Sequence, residues 1–381
     1  MANDLSAVAP RILAQGLMAL RNMNVMPAIV NSDYDDEFKQ QGNSVDVPVP
    51  GAVAVQDVTP ANTPPSTADQ TPTYVQIVLD KWKEAPFHMS DKDLRQVMNG
   101  FLPVQASEAV ASLADQINSD IFSVYKGIYG YVGTAGTTPF ASDYGAATDA
   151  RKVLNKQKCP RHDRRMVIDP DAEANALKLT PFADASFSAS PSVIQEGEIV
   201  RKLGFDWFSD QQVPTHTAGT ITTGLIAKAA TAQALGLKAV VATTAASTGA
   251  CALLEGDIIT FAGHSQTYVL TAAATQASAA TDVTLNIEPG LQKALVGSEA
   301  ITVKASHVVN LAFNRLAIAF ASRPLEDTEG LGNIIQTASD PVSKVTLRLE
   351  ISREHKRTRF SYDILYGVKL VRRPLATRVA G

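Results

Sequence analysis

Cysteine is scarce in this sequence, and long apolar runs are missing from it. The 381 residues contain two cysteines, Cys159 and Cys251, which lie far apart along the chain. A disulfide framework or a zinc cluster needs more cysteines at closer spacing, so we expect neither. No stretch reaches about 18 apolar residues, and the first residues lack the basic stretch and apolar core of a signal peptide. The sequence therefore predicts neither a membrane-spanning segment nor a secretion signal.

The usual motifs of catalysis and nucleotide binding are also missing. No GxSxG, GxxxxGK[ST], GxGxxG or HExxH pattern occurs. The six histidines are too dispersed for a metal-binding helix, and we expect each at the surface or in a turn: His88, His162, His216, His264, His307 and His355. We therefore expect no enzyme activity, no cofactor and no metal site.

Charge is low overall but unevenly distributed. The chain is 45% hydrophobic and 19% charged, as in ordinary globular proteins, with a net charge of −4 that gives no general attraction to nucleic acid. Residues 344–381, however, carry ten basic and three acidic residues, a net +7 that leaves −11 for the rest. Three interpretations stay open: contact with phosphates, contact with an acidic neighbouring subunit, or a solvated hairpin. The candidate contact residues are Arg353, Lys356, Arg357 and Arg359.

Residues 42–86 have the pattern of an extended hairpin. Apolar residues alternate in two runs, Val45, Val47, Val49 and Val75, Ile77, Leu79. The prolines in the first run exclude a central strand, and a Pro/Thr-rich tip at 59–72 separates the two runs. A two-stranded ribbon is marginally stable alone, so it either packs on its own domain or needs another subunit, and these six side chains are our candidate inter-subunit contacts. A disordered linker is the alternative, and the strand-like flanks argue against it.

A long helix is predicted over 103–130. Its apolar stripe recurs at spacings of three and four residues: Val110, Leu113, Ile117, Ile121, Val124 and Ile128. Closely spaced glycines overlap and follow its end, and Gly127, Gly130 and Gly133 are our candidate hinges.

The composition changes sharply in the middle of the chain. No arginine occurs between Arg201 and Arg315, and 216–308 is rich in alanine and threonine. This segment still contains four strand patterns, Ile258–Phe261, Thr267–Leu270, Val283–Ile287 and Ala300–Val303. We interpret it as a small barrel or sandwich inserted into a parent domain, which resumes at Leu311.

Taken in order, these segments resemble the major capsid (coat) proteins of tailed bacteriophages, in particular the short-tailed phage type with an inserted β-barrel domain. The matching stretches are spread over nearly the whole chain. They are the N-terminal arm, the Pro-rich loop, the long helix, MVIDP at 166–170, GEIVRKLGFDWFSDQQVP at 197–214, LLEGDIITFAG at 253–263, AFNRLAIAFASRPL at 312–325 and ILYGVKLVRRP at 364–374.

The resemblance implies an α+β fold, the tailed-phage major capsid fold, with a long spine helix, an extended hairpin loop, axial and peripheral domains and an inserted small all-β domain. It implies these divisions: 1–41, the N-terminal arm; 42–86, the extended loop; 87–215, the peripheral domain with the spine helix and the first part of the axial domain; 216–308, the inserted domain; 309–381, the rest of both domains.

The implied function is that of a structural protein of the virion. Copies would form pentameric and hexameric capsomers of an icosahedral shell, assembled in the host cytoplasm and maturing from a precursor shell by conformational change. The implied partners are the chain itself, a scaffolding protein, a portal protein and packaged double-stranded DNA held by non-specific contacts, with no membrane. A nanocompartment (encapsulin-like) shell enclosing cargo protein is the alternative, and a secreted carbohydrate-binding module is a remote one.

Overall fold

The computed structural model of the chain describes most of its residues. The described residues are 10, 12–14, 16–17, 25–33, 44–49, 60, 73–90, 104–183, 197, 199, 201–221, 224–228, 233–244, 251–276, 281–325, 333–340 and 343–381. Apart from residue 60, the predicted hairpin tip at 59–72 lies outside them.

The described part of the chain is rich in strands and has few helices. The helices are Met26–Ile29 (α1), Val104–Phe122 (α2), Gly145–Lys156 (α3), Pro170–Lys178 (α4) and Thr180–Ala183 (α5). The strands are Ser44–Val49 (β1), Thr73–Val78 (β2), Lys81–Ser90 (β3), Gly130–Gly133 (β4), Arg164–Ile168 (β5), Asp206–Ser209 (β6), Thr215–His216 (β7), Thr220–Ile221 (β8), Leu225–Ala227 (β9), Ala239–Thr244 (β10), Cys251–Leu253 (β11), Ile258–Phe261 (β12), Tyr268–Leu270 (β13), Ala274–Gln276 (β14), Val283–Glu288 (β15), Ala300–Val303 (β16), His307–Asn314 (β17), Ile318–Arg323 (β18), Ile334–Ser339 (β19), Thr346–Glu354 (β20), Arg357–Leu370 (β21) and Ala376–Ala380 (β22).

Two sheets and helix α2 share the main core, and we call this part of the chain the body. One sheet has the order β4-β22-β17-β5-β6, with β7 paired to β17. The other has the order β18-β21-β20-β19, with β3 paired to β21. Apolar residues of both sheets and of α2 belong to one continuous buried cluster, so the body folds around a single core.

Helix α2 is shorter than the sequence predicts. The apolar stripe faces the core as expected, and Val110, Ile117 and Ile121 are buried. The helix nevertheless ends at Phe122, where a 3₁₀ turn continues to Gly127. Strand β4 then pairs in parallel with β22, and this long-range pairing takes the backbone out of the helical conformation that the local periodicity favours.

The segment after β7 forms a closed six-stranded barrel, with the order β10-β15-β13-β12-β16-β9. Strands β14, β11 and β8 make a small sheet beside it, and the barrel strands enclose a separate apolar core. The chain leaves and re-enters the body at adjacent points, because His216 of β7 pairs with His307 of β17. The small all-β unit expected from the composition is thus confirmed as a barrel, while its boundaries at 216–308 stay a prediction.

The hairpin joins the body at a point where two backbones nearly touch. Strands β1 and β2 pair with Val45 opposite Ile77, and the chain then turns into β3. Beside this turn, Gly367 of β21 faces the backbone of Val78. A Cβ atom at position 367 would lie 2.2 Å from the Val78 carbonyl oxygen, so this position requires glycine.

Replacing Gly367 with alanine tests this close approach. Because the new methyl group must displace backbone, we expect Gly367→Ala to lower the free energy of unfolding by about 1–3 kcal/mol, measured by urea titration. Gly224→Ala is the matched control, since a Cβ atom there meets nothing within 4 Å. Equal stability of the two variants would contradict the close approach.

Candidate assembly interface

Reactive side chains do not cluster in the described part of the chain. No group of three or more His, Cys, Asp or Glu side chains there could hold a metal ion. Cys159 and Cys251 are both buried and free, and burial raises the pKa of each thiol. No described helix has the length and apolar character to cross a membrane. We therefore looked for function in the surfaces that the fold presents.

The inner face of the hairpin packs against its own chain. Val45, Val47 and Ile77 are at most 5% exposed, and with Leu79 they form an apolar cluster that includes Ala319 of β18. The small alanine side chains of β18 leave room for the valines, so the ribbon lies directly on the sheet.

The inner face of the ribbon thus follows the alternative of packing on its own domain. The chain itself covers four of the six candidate side chains, Val45, Val47, Ile77 and Leu79, and their contact with another subunit stays a prediction. The remaining two, Val49 and Val75, are partly buried at the rim of the same cluster. Only the opposite face of the described part of the ribbon is free for a partner.

The outer face of the hairpin carries large exposed side chains. Tyr74 is 63% exposed and Val78 is 41% exposed. Both lie on the face opposite the valines, because side chains alternate along a strand. Trp82 of β3 is also 63% exposed, although its indole N–H donates to Asp363 over 3.2 Å. Exposed aromatic and aliphatic side chains on one face of a ribbon are typical of a contact surface.

The predicted basic contact residues lie where β20 turns into β21. Lys356 occupies the turn with φ of 55°, and Arg357 pairs with Glu354 across it. Arg359 contacts Glu84 of β3 at 3.0 Å. Arg353 is exposed near the same turn. Acids of the chain itself therefore balance part of this charge, and the contact role of the four residues stays a prediction.

A groove of about 870 Å³ separates the hairpin from the barrel. Tyr74 and Val78 line one side, and Lys369 and Arg372 line another. No described carboxylate pairs with either of these cations, so the rim has net positive charge. At the floor, burial and then Glu288 raise the pKa of Tyr129 to about 12, which keeps its phenol neutral.

The three candidate hinge glycines lie in close packing rather than in a loop. A Cβ atom at Gly127 would lie 2.8 Å from Leu370, and one at Gly130 would lie 2.7 Å from Thr377. Gly133 has φ of 92°, and its Cβ atom would lie 2.6 Å from the Ala380 carbonyl oxygen. The approach of β4 to β22 thus explains Gly130 and Gly133, and Leu370 of β21 explains Gly127, while the hinge role of all three stays a prediction.

Two histidines and an arginine are placed where the sequence did not predict them. His216 and His307, expected at the surface, are at most 3% exposed, and Arg378 of the basic segment is completely buried. All three lie where the barrel meets the body. Their local sequence carries no sign of this burial, because the covering residues are distant along the chain.

Comparisons with known proteins concern the fold. A solved structure of Mycobacterium phage Che8 superposes with a TM-score of 0.51 at 16% identity, covering 93% of this chain and 90% of that chain. The capsid structure of the cyanophage P-SCSP1u gives 0.47 at 13% identity, over 89% and 83%. A virus-like particle from Pyrococcus furiosus gives 0.41 at 8% identity, over 97% of each chain.

No protein-family model and no curated protein matches the chain. The Che8 likeness confirms the predicted α+β capsid fold, and at this identity it establishes the fold alone.

Substitutions on the two faces of the hairpin should differ in effect. We expect Val47→Ser to lower the free energy of unfolding by about 2 kcal/mol, because it removes a buried apolar side chain. Tyr74→Ser, on the outer face of the paired strand, should change it by less than about 0.5 kcal/mol. Chemical denaturation of the unassembled chain measures both, and a larger loss for Tyr74→Ser would reverse the assignment of the faces.

Proposed function

We propose that this chain is the structural subunit of a protein shell, the capsid of a tailed bacteriophage. The observation that carries the proposal is the fold shared with the phage Che8 structure over 93% of the chain. The order of the motifs that resemble phage coat proteins supports it independently. The subunit acts by binding copies of itself, and we propose no enzyme activity for it.

The hairpin is the first contact surface in this proposal. Its inner face fixes the ribbon to the body, so the ribbon reaches a neighbouring subunit as a preformed element and loses little conformational entropy on binding. Tyr74 and Val78 on the outer face then become buried against the neighbour. An exposed aromatic side chain that becomes buried is the kind of residue that dominates binding energy at interfaces.

Charge provides the second element of the contact. The segment 344–381 is net positive and the rest of the chain is net negative. Copies that meet through unlike surfaces, head to tail around a ring, bring such opposite charges together. We place Lys369 and Arg372 at the groove rim in this contact, and Arg353 and Lys356 at the β20–β21 turn.

Several finer steps belong to the same proposal. Pentameric and hexameric rings close into an icosahedral shell in the host cytoplasm, with a scaffolding protein present during assembly and a portal protein at one vertex. Double-stranded DNA is then packaged against the inner surface through non-specific contacts. The precursor shell matures by a conformational change, with the stretch from Gly127 to Gly133 as the candidate hinge.

Electron microscopy of the purified full-length chain tests the proposal. We expect closed shells of uniform diameter, and in infected or expressing cells we expect them to contain nuclease-resistant nucleic acid. Shells filled instead with one protein would indicate a cargo compartment. A chain that remains monomeric at high concentration would contradict the shell function.

The outer face of the hairpin should control assembly without controlling folding. We expect Tyr74→Ser to reduce the yield of particles at least tenfold, because the loss of one buried aromatic contact is repeated at every interface. Light scattering and sedimentation measure the yield. Leu235→Ser, which alters an exposed apolar side chain on the barrel, is the matched control. An unchanged yield for Tyr74→Ser would remove this face from the interface.

A further inference from the structure

The barrel is attached to the body by a small boundary of mixed character. Tyr129 packs against Ile258 and Val269 of the barrel in a separate apolar cluster. Beside this cluster, the hydroxyl of Thr267 donates to the carbonyl of Tyr129 at 2.7 Å. The apolar part of the boundary is much smaller than either core, so polar contacts carry a large share of the attachment.

Arg378 is the centre of the polar contacts. Its side chain extends from β22 of the body and is completely buried. The Nη1 atom donates to the carbonyl of Gly256 in the barrel at 2.9 Å, and the guanidinium lies 5.0 Å from the centre of the Tyr125 ring. No described group accepts a hydrogen bond from Nε or Nη2. A buried cation with so few hydrogen bonds holds the barrel in place only weakly.

Asp257 supplies the balancing charge from the barrel side. Its carboxylate is fully buried and accepts hydrogen bonds from Nε2 of His216 at 2.9 Å and from the backbone of Leu254 at 2.8 Å. Nδ1 of His216 then accepts from the hydroxyl of Tyr125 at 3.1 Å. One buried cation and one buried anion therefore lie near each other at the boundary, where Asp257 acts on Arg378 through its charge rather than through a direct hydrogen bond.

His307 lies beside this pair on strand β17 of the body. Its Nδ1 donates to the carbonyl of Ala305 at 2.8 Å, and no described group partners Nε2. The His216 ring lies 5.4 Å from the His307 ring, and Tyr131 meets His307 edge-on at 5.2 Å. The charges of Arg378 and Asp257 also act on the His307 ring. A proton on His307 would place a second buried cation beside Arg378, with one carboxylate to balance both.

We propose that Arg378, Asp257 and His307 form a releasable latch, which holds the barrel on the body while His307 is neutral and frees the barrel when His307 gains a proton. Separation of the barrel admits water to both cations, and it breaks the Arg378–Gly256 hydrogen bond together with the Thr267–Tyr129 hydrogen bond and the small apolar cluster. The latch lies within one chain, so it does not depend on the shell function.

The direction of the pH dependence follows from the burial of His307. Burial, assisted by Arg378 and His216, lowers the pKa of His307 to about 4 in the docked state, from 6.5. The released state takes up a proton below pH 6.5 and the docked state does not, so acid favours release. The docked arrangement is fully favoured above that pH and is lost as pH falls toward 4. Between pH 7.5 and pH 5 the release equilibrium should shift about thirtyfold.

Hydrogen exchange of the full-length, unassembled chain tests the latch. After correction for intrinsic exchange, we expect the amides of 215–221 and 304–307 to exchange about thirtyfold faster at pH 5 than at pH 7.5. The strand amides of β5 and β20 should keep their protection. An absent acid response, or one shared by β5 and β20, would overturn the proposal.

Two substitutions assign the response to His307. His307→Asn keeps a donor for the Ala305 carbonyl but takes no proton, so the acid response should disappear. His264→Asn is the matched control, because His264 lies in the partly exposed turn between β12 and β13, paired with the Tyr268 hydroxyl, and it should respond as the wild type does. An acid response that persists in His307→Asn overturns the proposal. If the His307→Asn chain fails to fold, Arg378→Met serves as the second variant. The acid response of its exchange should be smaller than thirtyfold, and an undiminished acid response overturns the proposal.

Discussion

Strand β21 is the structural constraint on which the rest of the body depends. Along one edge, ten of its residues, from Arg357 to Tyr366, pair with β3. Along the other edge, it pairs first with β20 and then with β18. Phe360 stacks on Phe87 of β3 at 5.2 Å, and the hydroxyl of Tyr366 donates to Asp120 of helix α2. Because β3 follows the hairpin directly, this one strand fixes the ribbon, the sheet and the helix relative to one another.

Two of the buried arginines, Arg348 and Arg378, show how differently a buried charge acts in this fold. Arg348 donates to Asp363 at 2.8 Å, and the two residues face each other on neighbouring strands of one sheet. That pair is part of the core and moves with it. Arg378, in contrast, crosses from one folding unit to another and has one hydrogen bond to the barrel. A buried charge pair contributes little net stability, but losing one partner is costly, so the second arrangement makes docking sensitive to a single proton.

The hairpin shows which structural features the local sequence pattern predicts and which it does not. Alternation of apolar residues predicted both strands. The observed strands, Ser44–Val49 and Thr73–Val78, contain all the alternating residues except Leu79. The same alternation could not reveal which face is covered, since it shows only that the two faces differ. Ala319 and Ala321 of β18 decide this, and they lie more than 200 residues away in the sequence. The glycines after helix α2 are similar: their spacing predicted hinges, while the neighbouring strands β21 and β22 explain them as positions of close approach.

Periodicity and composition by themselves determined the element types and the separate character of the barrel segment, while the resemblance to phage coat proteins implied the α+β capsid fold. The first two properties depend on residues that are near one another along the chain, so a short stretch of sequence is enough to predict them. Which surface remains free, which charges are buried and how the barrel is attached were decided only by the tertiary structure. Each of these depends on residues from distant segments, such as Arg378, Asp257 and His307, whose meeting no local pattern encodes.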